Sequence, residues 1–144
     1  MSEEREHACA QADALMGVFG FKRVVGDRKL LVLAARAAGI KIVDCGCRYE
    51  EWPFKYAEGQ GRRGHWNPLM DDGDALRLAV LLRIETWFFE GFGEVHATHT
   101  SKNIEDMDEP LGHDDYAATR RAIVRAAAAI GRAMLTTHDG EIRN

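Results

Sequence analysis

The chain is poor in cysteine, shows no marked excess of one charge, and holds no long apolar run. Its three cysteines are an odd number and only Cys45 and Cys47 stand close together, which suits a reducing cytoplasm better than a disulfide scaffold. Nineteen basic residues against 23 acidic ones leave a net charge of −4, so no global field draws in nucleic acid or an anionic membrane. The apolar stretch near the start, 14–21, follows Glu3, Glu4 and Glu6 rather than a basic segment and is too short to span a bilayer. Neither a signal peptide nor a membrane helix is expected. There is no internal repeat and no low-complexity segment. What remains is 46% hydrophobic and 29% charged over 144 residues, one domain's length, able to bury roughly two thirds of its unfolded surface without staples.

The order of apolar and turn-forming residues predicts an α+β chain. Ser2 is placed to cap a first helix with Ala8, Ala12, Leu15, Met16 and Phe19 as its stripe, ended by Gly17 and Gly20. Asp27 caps a second helix over 28–38, in which Leu30, Leu31, Ala34, Ala37 and Ala38 face inward, and Gly39 stops it. Residues 40–45 read as a strand, 52–56 as a second one limited by Pro53, and the glycine-bearing turn 58–64 leads to a strand ending at Trp66. Asn67-Pro68 then forces a turn, because the residue before proline avoids the α region. A helix follows, with Asp71, Asp72 and Asp74 where its positive end favours carboxylates. Only Arg77 and Arg83 are polar between Ala75 and Ile84, so this helix is expected to be covered on nearly all sides, with Leu81 on what should be its polar face.

Residues 84–89 and 94–100 predict a hairpin around Glu90 to Gly93, with Trp87 and Phe89 on one face and Phe88 on the other, a pattern that asks for cover on both. Polar residues 101–113 read as a long loop. An alanine-rich helix from Asp114 or Asp115 to about Leu135 closes the chain. Its packed stripe is Tyr116, Ile123, Ala127, Ile130 and Met134, and Arg121, Arg125 and Arg132 share another face.

No serine or cysteine stands in a recognisable activating motif. Residues 59–64 match a dinucleotide-binding glycine spacing only by count, since they do not join a first strand to a helix. Asp71, Asp72 and Asp74 could hold a hard cation for phosphoryl chemistry, but capping explains the cluster with no added partner. Cys45-Gly46-Cys47 puts two sulfurs on one strand face, and His65 could approach them. The second ligand pair of a structural zinc site is missing, so neither metal nor cofactor is expected. His96 and His99, three apart on a strand, face opposite ways. The expected ligand-binding residues are therefore Trp66, Asn67 and Asp72, at the rim of the strand-to-helix junction, with Trp52 and Phe92 as further aromatics. Arg121, Arg125 and Arg132 offer the alternative of phosphate contacts to nucleic acid.

The segments Trp66 to Val80 and Tyr116 to Ala127 resemble the hallmark segments of the phage ABA-sandwich domain family, small proteins of bacteriophages and of prophages in proteobacteria. The helix from Leu30 to Gly39 resembles the usual start of that domain. The resemblance implies an α/β/α sandwich, a mostly antiparallel sheet of about four to five strands with helices on both faces. Relatives begin near Arg28 and carry a lysine where this chain has Leu81, so 1–27 reads as an extension, 28–135 as the domain and 136–144 as a flexible tail. The added helix and Leu81 would cover one another, within one chain or across a homodimer. No catalytic residues come with the resemblance. The expected role is a non-enzymatic phage or prophage accessory module in the host cytoplasm, binding a host or phage macromolecule or a small ligand. Nucleic-acid binding by the last helix and a metal-dependent enzyme built on Asp71, Asp72 and Asp74 are the alternatives.

Overall fold

The computed structural model describes residues 26–142, so the helix expected near Ser2 and its apolar stripe lie outside the described residues. Residues 26–38 are helical and form α1, with Leu31, Ala34 and Ala35 turned into the core. Gly39 ends the helix at φ +69°, where its N–H donates to the Arg36 carbonyl at 3.2 Å and that of Ile40 donates to Ala35 at 2.9 Å. Such paired closure needs a left-handed residue, and glycine adopts it without a Cβ clash.

Strand β1, Ile42–Asp44, pairs antiparallel with β2, Phe54–Tyr56, with Val43 opposite Lys55 and Asp44 opposite Phe54. The Cys45 N–H prolongs the ladder by donating to the Pro53 carbonyl at 2.9 Å, and on the other side of β2 His65 bridges to Lys55. Side chains alternate along extended chain. The register therefore sends Phe54 and Trp66 into the core and leaves Val43, Cys45, Lys55 and His65 on the outer face. Pro53 immediately precedes β2, where a missing N–H costs no ladder bond within the strand.

After Asn67-Pro68 the N–H groups of Met70 and Asp71 both donate to the Asn67 carbonyl, and α2, Asp72–Leu82, begins. Its N-cap is Asp71, an extended residue whose carboxylate accepts from the Asp74 N–H at 2.7 Å. Ala75, Leu78 and Ala79 are buried and the helix packs on the last one. The expectation of cover on nearly all sides is corrected. Leu76, Val80 and Leu81 remain 64%, 57% and 58% exposed, because among the described residues no further element lies over that face. The C-terminal closure repeats that of α1, with Arg83 and Ile84 N–H groups donating to Val80 and Ala79, but here an arginine holds φ +58°.

Strands β3, Glu85–Phe89, β4, Glu94–Thr98, and β5, Met107–Pro110, form an antiparallel meander in that order. Trp87 pairs with His96 and Phe88 with Val95, so the expected split of the aromatics holds. Val95 and Ala97 are buried against α3, Asp115–Ile142, while Trp87, Phe89 and His96 share the opposite, partly exposed face. Strand β5 lies within the stretch expected as a loop. No apolar alternation marks it; instead Glu109 turns toward α3, where Arg125 pairs with it at 2.8 Å. An inward charge is one way an edge strand avoids further pairing.

Helix α3 begins with Asp114 accepting from the Ala117 N–H and continues to Ile142, beyond the end expected near Leu135. Ile123, Ala127 and Ile130 are buried as expected, but Tyr116 and Met134 at the two ends of the stripe are exposed, since the core stops short of them. Gly131 meets α1 so closely that a Cβ there would stand 2.0 Å from the Leu33 carbonyl oxygen. Among the described residues the result is an α+β fold in which five strands divide between a two-stranded and a three-stranded sheet rather than joining in one. Among the described residues no helix is long and apolar enough to cross a membrane.

Candidate metal centre

Two soft sulfur donors and a borderline imidazole nitrogen meet on the outer face of the small sheet. Cys45 extends β1 along its outward side, and Gly46, at φ +67°, turns the chain so that the Cys47 sulfur comes back toward it. His65 arrives from the other side through its bridge to Lys55. Its Nε2 lies 2.9 Å from the Cys45 sulfur and 3.2 Å from that of Cys47, and the three atoms all fall within 4.8 Å of one another. The Cys47 thiol also reaches the Trp52 carbonyl at 3.4 Å, and the Trp52 ring tilts beside His65 with centroids 5.8 Å apart. Among the described residues this is the one group of three or more Cys, His, Asp or Glu side chains close enough to hold an ion.

As free thiols the two cysteines differ. The pKa of Cys47 is lowered to about 7, chiefly by its hydrogen bond with Cys45 and further by His65, whereas that of Cys45 is raised by the same partnership with Cys47. The donor set fits a zinc-class ion. Bonds of about 2.3 Å to sulfur and 2.0 Å to nitrogen in a tetrahedron put S and N roughly 3.5 Å apart, so ring and sulfurs need part by only a few tenths of an ångström.

His65 also forms part of the wall of an open cleft of about 560 Å³. Tyr49, Trp52 and Tyr56 give this cleft aromatic surface, and Arg62, Arg63 and Arg77 give it positive charge. Its carboxylates, Asp71 and Asp74, are both engaged. The buried Asp74 accepts from the Asn67 N–H at 3.0 Å and from the Arg77 guanidinium at 2.7 Å, and Arg77 lies 3.8 Å from Asp71. That hydrogen bond to Asp74 pushes the Arg77 pKa up, and burial, followed by the charge of Asp74, raises that of Tyr56.

Of the residues expected near a ligand, Trp52 lines this cleft, whereas Trp66, Asn67 and Asp72 lie elsewhere. Trp66 is 1% and Asn67 3% exposed. The Asn67 side chain stitches the turn, donating to the Glu51 carbonyl and accepting from the Leu69 N–H. Asp72 is exposed and pairs with Arg120 at 2.6 Å. Asp72 is thus turned to Arg120 while Asp71 and Asp74 share Arg77, and the three carboxylates do not converge on one point. Of the arginine face, Arg121 pairs with Asp27 and Arg125 with Glu109, while Arg132 is exposed. The sequence brings these three residues to attention but sets a metal site aside for want of a second ligand pair, because only the cysteine spacing is local. His65 is 20 residues from Cys45 and arrives through strand pairing. Comparison of the chain with protein-family models, with curated proteins and with solved structures finds no match in any of the three.

Proposed function

We propose that the chain is a metal-binding module in which Cys45 and Cys47, as thiolates, and His65, through Nε2, hold one zinc-class ion and leave a fourth coordination position toward the cleft. The observation that carries this is the meeting of three ligand atoms within 4.8 Å, from two separate segments, on one face of a small sheet. Thiolate and imidazole select zinc-like ions over magnesium or calcium, which prefer oxygen. Two thiolates neutralise the dication. Three protein ligands with one open position suit a site that takes up a ligand, whereas structural zinc is closed by four.

Capture of a ligand accords with the non-enzymatic accessory role expected from the lack of a recognisable catalytic motif, with the phage or prophage origin that the resemblance implies, and with a reducing cytoplasm that keeps both thiols free. The layered sandwich and the phage origin belong to the same proposal. Their support is that α1, α2 and α3 fall on the three segments that carry the resemblance. Binding of nucleic acid by α3 has less support, since Arg121 and Arg125 are already paired. A homodimer is favoured by one specific feature, the exposed apolar strip of Leu76, Val80 and Leu81 on α2 beside Phe88.

Elemental analysis of the full-length chain purified from zinc-containing medium tests the proposal, with about one zinc per chain expected. Cobalt(II) should give tetrahedral d–d bands with thiolate charge transfer. Cys47→Ser and His65→Asn should each abolish both signals while the far-ultraviolet circular dichroism is retained. A reduced chain that takes up neither ion refutes the proposal.

A further inference from the structure

We propose that the fourth position takes an oxygen of a small anionic ligand, a phosphate or carboxylate, guided in by Arg62 and Arg63 and carrying a flat ring that lies against Trp52. The inference rests on the metal-binding reading above and concerns what the ion is for.

Arg62 and Arg63 stand between two left-handed glycines, Gly61 at φ +71° and Gly64 at φ +93°, on a loop that brings both into the wall of the cleft shared with His65. The charges of this cleft are not balanced among themselves. Arg77 is shared by both carboxylates, closely by Asp74 at 2.7 Å and at longer range by Asp71 at 3.8 Å, so the three together carry one net negative charge. Arg62 and Arg63 are exposed and make no ion pair among the described residues; the charge of Arg62 acts on the Tyr56 hydroxyl. With the dication neutralised by its two thiolates, three guanidinium groups against two carboxylates leave one net positive charge in the cleft, and it lies on the Arg62–Arg63 side.

A neutral ligand would leave that charge uncompensated, whereas a carboxylate or a phosphate monoester would answer it. Guanidinium groups match such oxyanions with two parallel N–H donors, and an open position on a zinc-class ion is a Lewis acid for oxygen. Size points to more than a bare anion. Ligand pockets of roughly 300–1,000 Å³ hold molecules much larger than inorganic phosphate, and the cleft here is about 560 Å³. Trp52, beside His65, and Tyr49 supply the wall against which a planar ring would stack.

The test uses full-length cobalt-substituted protein titrated with inorganic phosphate, adenosine 5′-monophosphate, benzoate and neutral adenosine. The anions are expected to shift the cobalt d–d bands and adenosine to leave them unchanged. The nucleotide should bind at least roughly tenfold more tightly than phosphate, an advantage that Trp52→Ala removes. The double variant Arg62→Ala/Arg63→Ala should weaken both by about tenfold or more, with its own cobalt bands showing that the site has formed. Benzoate binding ahead of the nucleotide would support the site and assign its ligand to the carboxylates. Cobalt bands indifferent to every anion overturn the inference, as does binding unaltered in the double arginine variant. So does replacement of the third cysteine, Cys9→Ser, if the bands then change with no anion added, because that thiol would be the fourth ligand. A chain that takes up no cobalt defeats the metal-binding reading itself, so the two failures are distinct.

Discussion

Arg83 occupies a left-handed position at the end of α2, φ +58°, in the same closure that Gly39 makes at the end of α1. The left-handed conformation costs an L-residue roughly 1–2 kcal/mol, and glycine avoids that cost while gaining about 0.4–1 kcal/mol less from the unfolded chain's entropy. Arg83→Gly is therefore expected to stabilise the fold by about 0.5–1 kcal/mol, read as a higher urea midpoint at unchanged slope. A lower midpoint would mean that the arginine side chain contributes more than its backbone loses. Other residues were legible in advance. Asp71 caps α2 because a carboxylate before a helix finds free N–H groups, a local requirement. Asn67 was not, since its partners Glu51 and Asp74 come from a loop and a helix that its neighbours in sequence do not reveal.

Elements were readable where period and punctuation agreed, as in α1 with its terminal glycine and in the β3–β4 hairpin. Strand β5 was not, because its inward Glu109 is tolerated only with Arg125 opposite it on α3. The crossing of α1 and α3 is another such feature. A Cβ at Gly131 would meet backbone, the Leu33 carbonyl at 2.0 Å, and backbone cannot swing aside as a side chain can. Gly131→Ala should thus destabilise by about 2 kcal/mol through overpacking, even though alanine is the better helix former by about 1 kcal/mol. Equal denaturation midpoints for the variant and the parent would show that the two helices can part freely.

For the whole molecule, the core and the candidate site are separate. Leu31, Trp66, Leu78, Val95 and Val124 pack into one cluster that includes none of the three metal ligands. Removing an ion held by Cys45, Cys47 and His65 should for that reason leave the fold in place, unlike a small zinc domain whose folding is its metal binding. The strip on α2 concerns the molecule as an assembly. Leu76, Val80 and Leu81 form a contiguous apolar surface, the kind of patch that marks an interaction site. Sedimentation equilibrium is expected to show self-association that Leu81→Lys weakens, and a parent chain that stays monomeric at high concentration would exclude the homodimer.

By itself the sequence determined the α+β class, the closure of α1 at Gly39, the carboxylate cap of α2 and the faces of the hairpin. Each follows from residues within a few positions of one another, where propensity, spacing and turn chemistry act. Tertiary structure alone decided that the strands split into two sheets, that Glu109 points inward, that α2 keeps an apolar face exposed, and that His65 meets Cys45 and Cys47. These depend on which distant segments pair across β2 and on what α3 covers. Such partners satisfy backbone hydrogen bonds and bury apolar surface through contacts that no local window of sequence contains.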